Sequence, residues 1–281
     1  MTTTVTVGIA TGAGRGMGLE CGRELLALVD HVILVDRDAG TVERAAAALQ
    51  QEAPESVVVE PFVLDITDRD GLDRLAAHVG ETGTLRAVAH AAGISPTMAD
   101  WRRIFEVDLI GSALLIEALR PLSSDQTAFV CFSSMSPLLL PPREDDAALD
   151  ALMARPLAPD FLERLEELAG AAIENTGWAY GLAKRGVKVL VQQEAVALGA
   201  AGARICSIAP GVIATPQGKQ EAEAHPSMLR MVEQTPLGRM GEAHEVAAVA
   251  GFALSDAASF LNGVDLLVDG GVFAALQVAR R

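Results

Sequence analysis

The chain has 281 residues, half of them hydrophobic, and carries a formal net charge of −15. That acidity excludes nucleic acid and anionic membrane surfaces as partners, because both need a basic face; an anionic cofactor needs only a local positive site. Aromatic residues make up 4%, so the core must come from Ala, Val, Leu and Ile, the composition of buried parallel strands.

The chain opens without the basic-then-apolar pattern of a signal peptide, and no apolar run is long enough for a bilayer. Cys21, Cys131 and Cys206 lie far apart without metal-ligand spacing. They read as buried thiols of a reducing cytosol, with no metal site expected. Residues 5–10 are a short β-branched run, expected as a buried strand. They lead into Thr11-Gly-Ala-Gly-Arg-Gly-Met-Gly18 and then a helical pattern of Leu19, Arg23, Leu26 and Ala27. Glycines between strand and helix let backbone N–H groups approach a phosphate at the positive end of the helix dipole. Gly12, Gly14, Arg15, Gly16 and Met17 are therefore candidate dinucleotide ligands.

Residues 31–36 form a second strand ending in Asp36, at the distance past the glycine loop where such folds hold the adenosine ribose. A carboxylate there accepts both ribose hydroxyls and repels a 2′-phosphate. Arg15 and Arg37 pull the other way, since either can pair with a 2′-phosphate. The acid aimed at the phosphate position outweighs arginines with other places to go, so NAD is expected, with NADP as the alternative. A helix is expected over 41–52 and a strand over 57–64. Asp65 and Ile66 follow, the acid placed either for the adenine amino group or for capping near Thr67. A helix over 72–79 and a strand over 85–89 lead to His90-Ala91-Ala92-Gly93, a small-residue turn open to a ligand. Residues 101–119 read as one long helix, and 128–132 as a strand running into Ser133-Ser134-Met-Ser136. Residues 143–153 and 159–174 have helical spacing with acidic outer faces. A helix over 182–198, a strand over 204–209 ending in Pro210-Gly211, a helix over 242–254 and a strand over 264–269 complete the chain.

Strand and helix alternate throughout, with no linker or repeat. That pattern predicts an α/β Rossmann fold, one doubly wound parallel sheet with helices on both faces, and a single domain over 1–281. Ligands in such folds sit beyond the carboxyl ends of the strands, which is where the glycine loop, Asp36, Gly93, Ser134 and Pro210-Gly211 fall.

Tyr180 is the only tyrosine, and Lys184 follows it by one helical turn. Ionising a free phenol at pH 7 costs about 4 kcal/mol. A cation about 5 Å away returns roughly 3 kcal/mol at an effective dielectric of about 20. The pair thus suits general acid/base work near neutrality; on spacing alone, two residues on a helix surface is the favoured reading.

With these motifs together, the chain resembles the short-chain dehydrogenase/reductase family over nearly its whole length. The match is carried by Thr11-Gly12…Gly16-Met-Gly18, Asp65, Ala92-Gly93, Ser134, Tyr180…Lys184 and Pro210-Gly211 with Thr215. Leu237-Gly-Arg…Glu242…Glu245-Val and Asn262-Gly…Val268-Asp-Gly-Gly271 continue it. The resemblance implies hydride transfer between a nicotinamide and a carbinol or carbonyl carbon in a homo-oligomer, a dimer or tetramer. It makes Tyr180 the proton donor or acceptor. Lys184 lowers the phenol's pKa and holds the nicotinamide ribose, and Ser134 bonds the substrate oxygen, with Ser133 and Ser136 as rivals. Residues 210–215, with Val212 and Ile213, cover the nicotinamide carboxamide.

Three departures stand out. Asp108 occupies the position of the family's helix asparagine, where it either holds a relay water or opposes phenolate formation. His90-Ala91 replaces a pair of asparagines, and His90 is expected to be structural. An extra helical segment at about 137–176 resembles the insertion of bacterial 3α-hydroxysteroid dehydrogenase/carbonyl reductases, and is expected to alter assembly or lid the pocket. Leu138 to Leu140, Trp178, Met228 and Met231 suggest an apolar pocket for an alicyclic or steroid-like substrate. They serve equally to pack the segment onto the core. The alternatives to an NAD-linked alcohol dehydrogenase are an NADP-linked carbonyl reductase and a non-catalytic dinucleotide sensor.

Overall fold

A computed structural model of the chain describes residues 4–218 and 226–279. Seven parallel strands form one sheet in the order β3-β2-β1-β4-β5-β6-β7. They are β1 (Thr6–Thr11), β2 (His31–Asp36), β3 (Val58–Val63), β4 (Thr84–His90), β5 (Ala128–Phe132), β6 (Arg204–Pro210) and β7 (Asp265–Val268). The inner strands are apolar on both faces because both are covered. Val7, Ile9, Ile33, Val35 and Phe129 point into one core, and Ala10, Val32, Leu34, Val130 and Ile208 into the other.

The second core is closed by α1 (Gly16–Leu25), α2 (Ala39–Glu52) and α10 (Ala243–Leu254). Onto the first pack α3 (Arg69–Thr82), α4 (Trp101–Phe105), α5 (Gly111–Leu119) and the long α8 (Thr176–Gly199). The strand order reverses between β1 and β4, which leaves a crevice beyond their carboxyl ends.

The expected single helix over 101–119 is two. Between α4 and α5, residues Glu106–Ile110 form one π-helical turn. The turn is braced from within by Ser112 Oγ donating to Asp108 O at 2.7 Å. Such a turn widens the helix at one point and re-aims the side chains it carries.

Residues 137–176 hold α6 (Asp146–Met153) and α7 (Phe161–Ala169) between two 3₁₀ turns, Ser136–Leu139 and Gly170–Glu174. Helix α6 starts later than its spacing suggests, because Arg143 is held in a turn. Its N–H donates to Asp146 and its guanidinium to Asp145. Helix α7 ends at Gly170, whose φ of +59° suits glycine. The segment is packed down: Leu149, Leu152, Met153, Phe161, Leu165 and Ile173 are buried in the first core. Phe161 meets Phe105 in a tilted pair, 6.2 Å between centroids and 55° between planes. Arg185 of α8 reaches Asp146 and Asp150, each at 2.6 Å.

Near the C-terminal end, α9 (Pro226–Gln234) and α11 (Val272–Ala279) flank the last strand. The Glu242…Glu245 motif is a capping box at the start of α10, and Arg239 pairs with Glu245 at 2.7 Å. No helix among the described residues is long and apolar enough to cross a membrane.

Candidate active site

Two clefts meet at the reversal of the sheet. The first begins at Gly12, whose φ of +63° and close approach to Ala92 leave no room for a Cβ, which would lie 2.8 Å from Ala92 Cα. Helix α1 then starts at Gly16 with no side-chain cap and no acid in its first turn. By contrast, α2 and α4 are capped by Asp38 and Asp100. The first N–H groups of α1 are thus left for an anion.

This cleft is lined by Gly12, Arg15, Gly16, Met17, Asp36, Arg37, Asp65, Ile66, Ala91, Ala92, Gly93 and Thr215. Gly14 stands behind it, its N–H donating to Asp36 Oδ2 at 2.9 Å, while Asp38 N donates to Oδ1 at 3.2 Å. The Asp36 carboxylate is thereby fixed on the cleft wall with lone pairs to spare. Arg15 and Arg37 line the same wall and make no ion pair among the described residues. Glycines at the phosphate position and a fixed acid one strand away fit a dinucleotide.

Asp65 is occupied more fully than its sequence position suggested. Its Oδ1 accepts from Thr67 N and Oγ1 at 3.0 and 2.8 Å, and its Oδ2 lies 2.9 Å from Arg103. Burial pushes its pKa up, but the Thr67 bonds and Arg103 outweigh it, leaving the carboxyl below its ordinary range. Arg103 also lines the cleft. Nothing in the sequence marks it, since its partner is 38 residues away and meets it only across the fold.

The second cleft shares Met17, Ala91, Gly93, Ile94 and Thr215 with the first, and is walled by Ser134, Tyr180, Lys184, Pro210, Gly211, Val212, Ile213 and Met228. Helix α8 brings in Tyr180 and Lys184 and is started by Asn175, whose side chain accepts from Trp178 N. Lys184 is buried, with Nζ 5.8 Å from the Tyr180 ring centroid. Its Nζ donates to Phe132 O at 3.1 Å and lies 3.8 Å from Asp108 Oδ2. Asp108 is wholly buried, and its Oδ1 accepts from Ile94 N at 2.8 Å. A Cβ at Gly93 would lie 2.9 Å from that oxygen and 3.1 Å from Lys184 Nζ, so a larger residue there would push one of these two side chains aside.

The three serines separate by their partners. Ser133 also lines the cleft, but its Oγ is engaged by the sheet, 2.9 Å from Ile208 O and 2.7 Å from Asp265 Oδ1, where its one proton serves either acceptor. Ser134 Oγ faces the cleft and meets Ser136 N and Oγ at 3.1 and 3.0 Å. His90 lies behind both clefts, between Thr11 and Ser112. Burial, aided by the Lys184 charge, pushes its pKa down to about 3.

Of the residues expected to form an apolar pocket, Met228 lines the cleft; Leu138 to Leu140, Trp178 and Met231 do not. Leu140 packs against Gly181, and Trp178 lies beneath the Arg143 guanidinium, 5.3 Å from centroid to Cζ. These side chains fasten the 137–176 segment to α8. Residues 219–225, between Gly218 and α9, lie outside the described residues.

Residues 6–138 match the family model described as short chain dehydrogenase, and residues 167–273 the model described as enoyl-(acyl carrier protein) reductase. Helix α6 and most of α7 fall between the two matches. Cis-4-hydroxycyclohexanecarboxylate dehydrogenase of Sinomonas cyclohexanicum is 30% identical over 95% of this chain and 96% of that protein. The 3-alpha-hydroxysteroid dehydrogenase/carbonyl reductase of Comamonas testosteroni is 31% identical over 66% of this chain and 72% of its own. Among solved structures, levodione reductase superposes with a TM-score of 0.72 at 26% identity, covering 96% of this chain and 98% of that one. At this identity and coverage the likeness seen in the motifs is membership: the chain belongs to the short-chain dehydrogenase/reductase family, oxidoreductases that act on CH–OH groups with a nicotinamide dinucleotide.

Proposed function

We infer that the protein is an NAD(H)-dependent oxidoreductase interconverting a secondary alcohol and a ketone, with a hydroxysteroid or other alicyclic substrate. The observation that carries this reading is that Ser134, Tyr180 and Lys184 wall one cleft, and that cleft opens into the glycine-lined one. Named activities of relatives toward a hydroxycyclohexane acid and a hydroxysteroid support the substrate class.

A nicotinamide dinucleotide, when bound, would supply the hydride chemistry at the carbinol carbon. The first-turn N–H groups of α1 would hold its diphosphate, Asp36 the adenosine ribose and Asp65 the adenine end, while Lys184 would hold the second ribose and residues 210–215 would lie at the carboxamide. Ser134 Oγ donates to the substrate oxygen and orients it. Tyr180 gives or takes the proton at that oxygen, its ionised form favoured by the Lys184 cation. Asp108 sets the position and field of Lys184, and is the chain's own variation on the proton relay. NAD is favoured because a 2′-phosphate would meet the fixed Asp36 carboxylate. Arg15 and Arg37 on the same wall, which make no ion pair among the described residues, favour the second reading, an NADP-linked carbonyl reductase.

The chain would act as one unit in a homo-oligomer, a dimer or tetramer that light scattering would distinguish from a monomer, and its three buried free thiols suit the cytosol. The function is tested by NAD⁺ reduction against a panel of secondary alcohols that includes hydroxysteroids, with Tyr180→Phe in parallel. Turnover lost in the variant, with NADH binding kept, supports the reading. Undiminished turnover in the variant overturns the role of Tyr180, and binding without turnover on any alcohol or ketone makes the protein a dinucleotide sensor.

A further inference from the structure

Behind the two clefts runs a buried line of polar groups that the reaction above leaves unused. Thr11 Oγ1, at the end of β1, lies 2.7 Å from His90 Nδ1. His90 Nε2, at the end of β4, lies 2.9 Å from Ser112 Oγ, which in turn donates to Asp108 O at 2.7 Å. None of Thr11, His90 and Ser112 is more than 2% exposed.

The directions of these bonds are forced. A carbonyl oxygen only accepts, so the Ser112 proton points at Asp108 O. Ser112 Oγ then offers His90 only lone pairs, and His90 Nε2 must carry the hydrogen. Nδ1 is left as an acceptor, which Thr11 satisfies with its hydroxyl while its own oxygen accepts from Ala92 N at 3.2 Å. One neutral tautomer satisfies every member. Both charged groups near this line, Lys184 and Asp108, lie on the catalytic side, and burial keeps the imidazole uncharged.

We propose that His90 is a positioning residue for the catalytic centre. Its Nε2–H, through Ser112, holds the π-helical turn and so sets where the Asp108 carboxylate stands between Ile94 N and Lys184. A π turn is rare and occurs mostly as a single turn inside an α-helix, so a bond from outside the helix can decide whether it keeps its shape. This rests on the reading of Tyr180 and Lys184 as the catalytic pair. The family's usual asparagine would reproduce only half of the arrangement: its amide oxygen can take the place of Nδ1 toward Thr11 but stops short of Ser112. Glutamine has the opposite reach, placing an N–H near the Nε2 position.

The test compares His90→Asn, His90→Gln and Ser112→Ala for kcat, KM, cofactor Kd and thermal midpoint. Glutamine should keep kcat within about threefold of the parent. His90→Asn and Ser112→Ala should each lower kcat about tenfold or more, with cofactor Kd unchanged. The proposal is overturned if His90→Asn and His90→Gln have equal kcat per folded enzyme, or if Ser112→Ala turns over at the parent rate. ¹⁵N NMR of histidine-labelled protein provides a readout independent of turnover. A neutral Nε2–H signal from about pH 5 to 8 is expected, and an imidazolium or Nδ1–H signal sinks the assignment. Loss of the catalytic reading through an active Tyr180→Phe would leave that spectrum unaffected, so the two failures can be told apart.

Discussion

At the scale of single residues, Asp36 and Asp108 carry the chain's individuality. Asp36 is held by two backbone N–H groups, so its charge stays on the cleft wall whichever cofactor arrives. Asp36→Ala removes that charge and leaves Arg15 and Arg37 in place. The ratio of kcat/KM for NADPH to that for NADH should then rise at least about tenfold, equivalent to about 1.4 kcal/mol. An unchanged ratio would show that the acid does not discriminate. Asp108→Asn keeps an acceptor for Ile94 N but removes a buried negative charge near Lys184. Because that charge opposes phenolate formation at Tyr180, its loss should move the acid limb of alcohol oxidation to lower pH. A limb that stays put or moves up contradicts the electrostatic role of Asp108. Of these two acids, Asp36 was legible from strand position; the 3.8 Å approach of Asp108 to Lys184 joins residues 76 apart in sequence, which no local pattern encodes.

At the scale of elements, local rules accounted for most of what formed. Glycine loop and alternating strands follow from short-range chemistry, and the structure has them where the pattern put them; the capping box of α10 is equally local but was not read from the sequence. The breaks came from contacts across the fold. The π turn interrupts an otherwise uniform helical pattern where Asp108 bonds to Ile94 N and Ser112 bonds back to Asp108 O. The apolar side chains near residue 140 and at Trp178 were ambiguous between pocket and packing, since burial looks the same from sequence in both cases; Gly181 and Arg143 decided for packing. Phe161 anchors α7 on α4, with both rings fully enclosed. Phe161→Ala should cost about 3–5 kcal/mol by chemical unfolding. A loss under about 1 kcal/mol would mean that the 137–176 segment is not integral to the core.

At the scale of the whole molecule, stability should fall as the solution is acidified, and the first contributor is His90. Its folded pKa is about 3 against 6.5 for the free side chain. Between those values the unfolded chain binds a proton that the folded one refuses, so unfolding is favoured as pH drops. The slope from this residue approaches about 1.4 kcal/mol per pH unit. Glu245, lowered to about 2 by its bond to Arg239, and Asp65 add to the loss only below the ordinary carboxylate range. Urea midpoints between about pH 4 and 7 should therefore flatten in His90→Asn. Equal slopes in parent and variant would remove His90 from the account. At the same scale, α6 is tied to α8 by Arg185 and α7 to α4 by the Phe161–Phe105 contact.

The sequence by itself determined the sheet, the family and the roster of candidate ligands, because those rest on periodicity, turn chemistry and spacing within a single element or one strand–turn–helix unit. The tertiary structure alone decided that Ser133 Oγ bonds to the sheet and that the long helix opens at Asp108. It also decided that Asp65 is braced by Arg103 and that the 137–176 segment is packed onto the core. Each of those outcomes is a contest between partners far apart in the chain, and burial and hydrogen-bond direction settle it only after folding has brought them within reach.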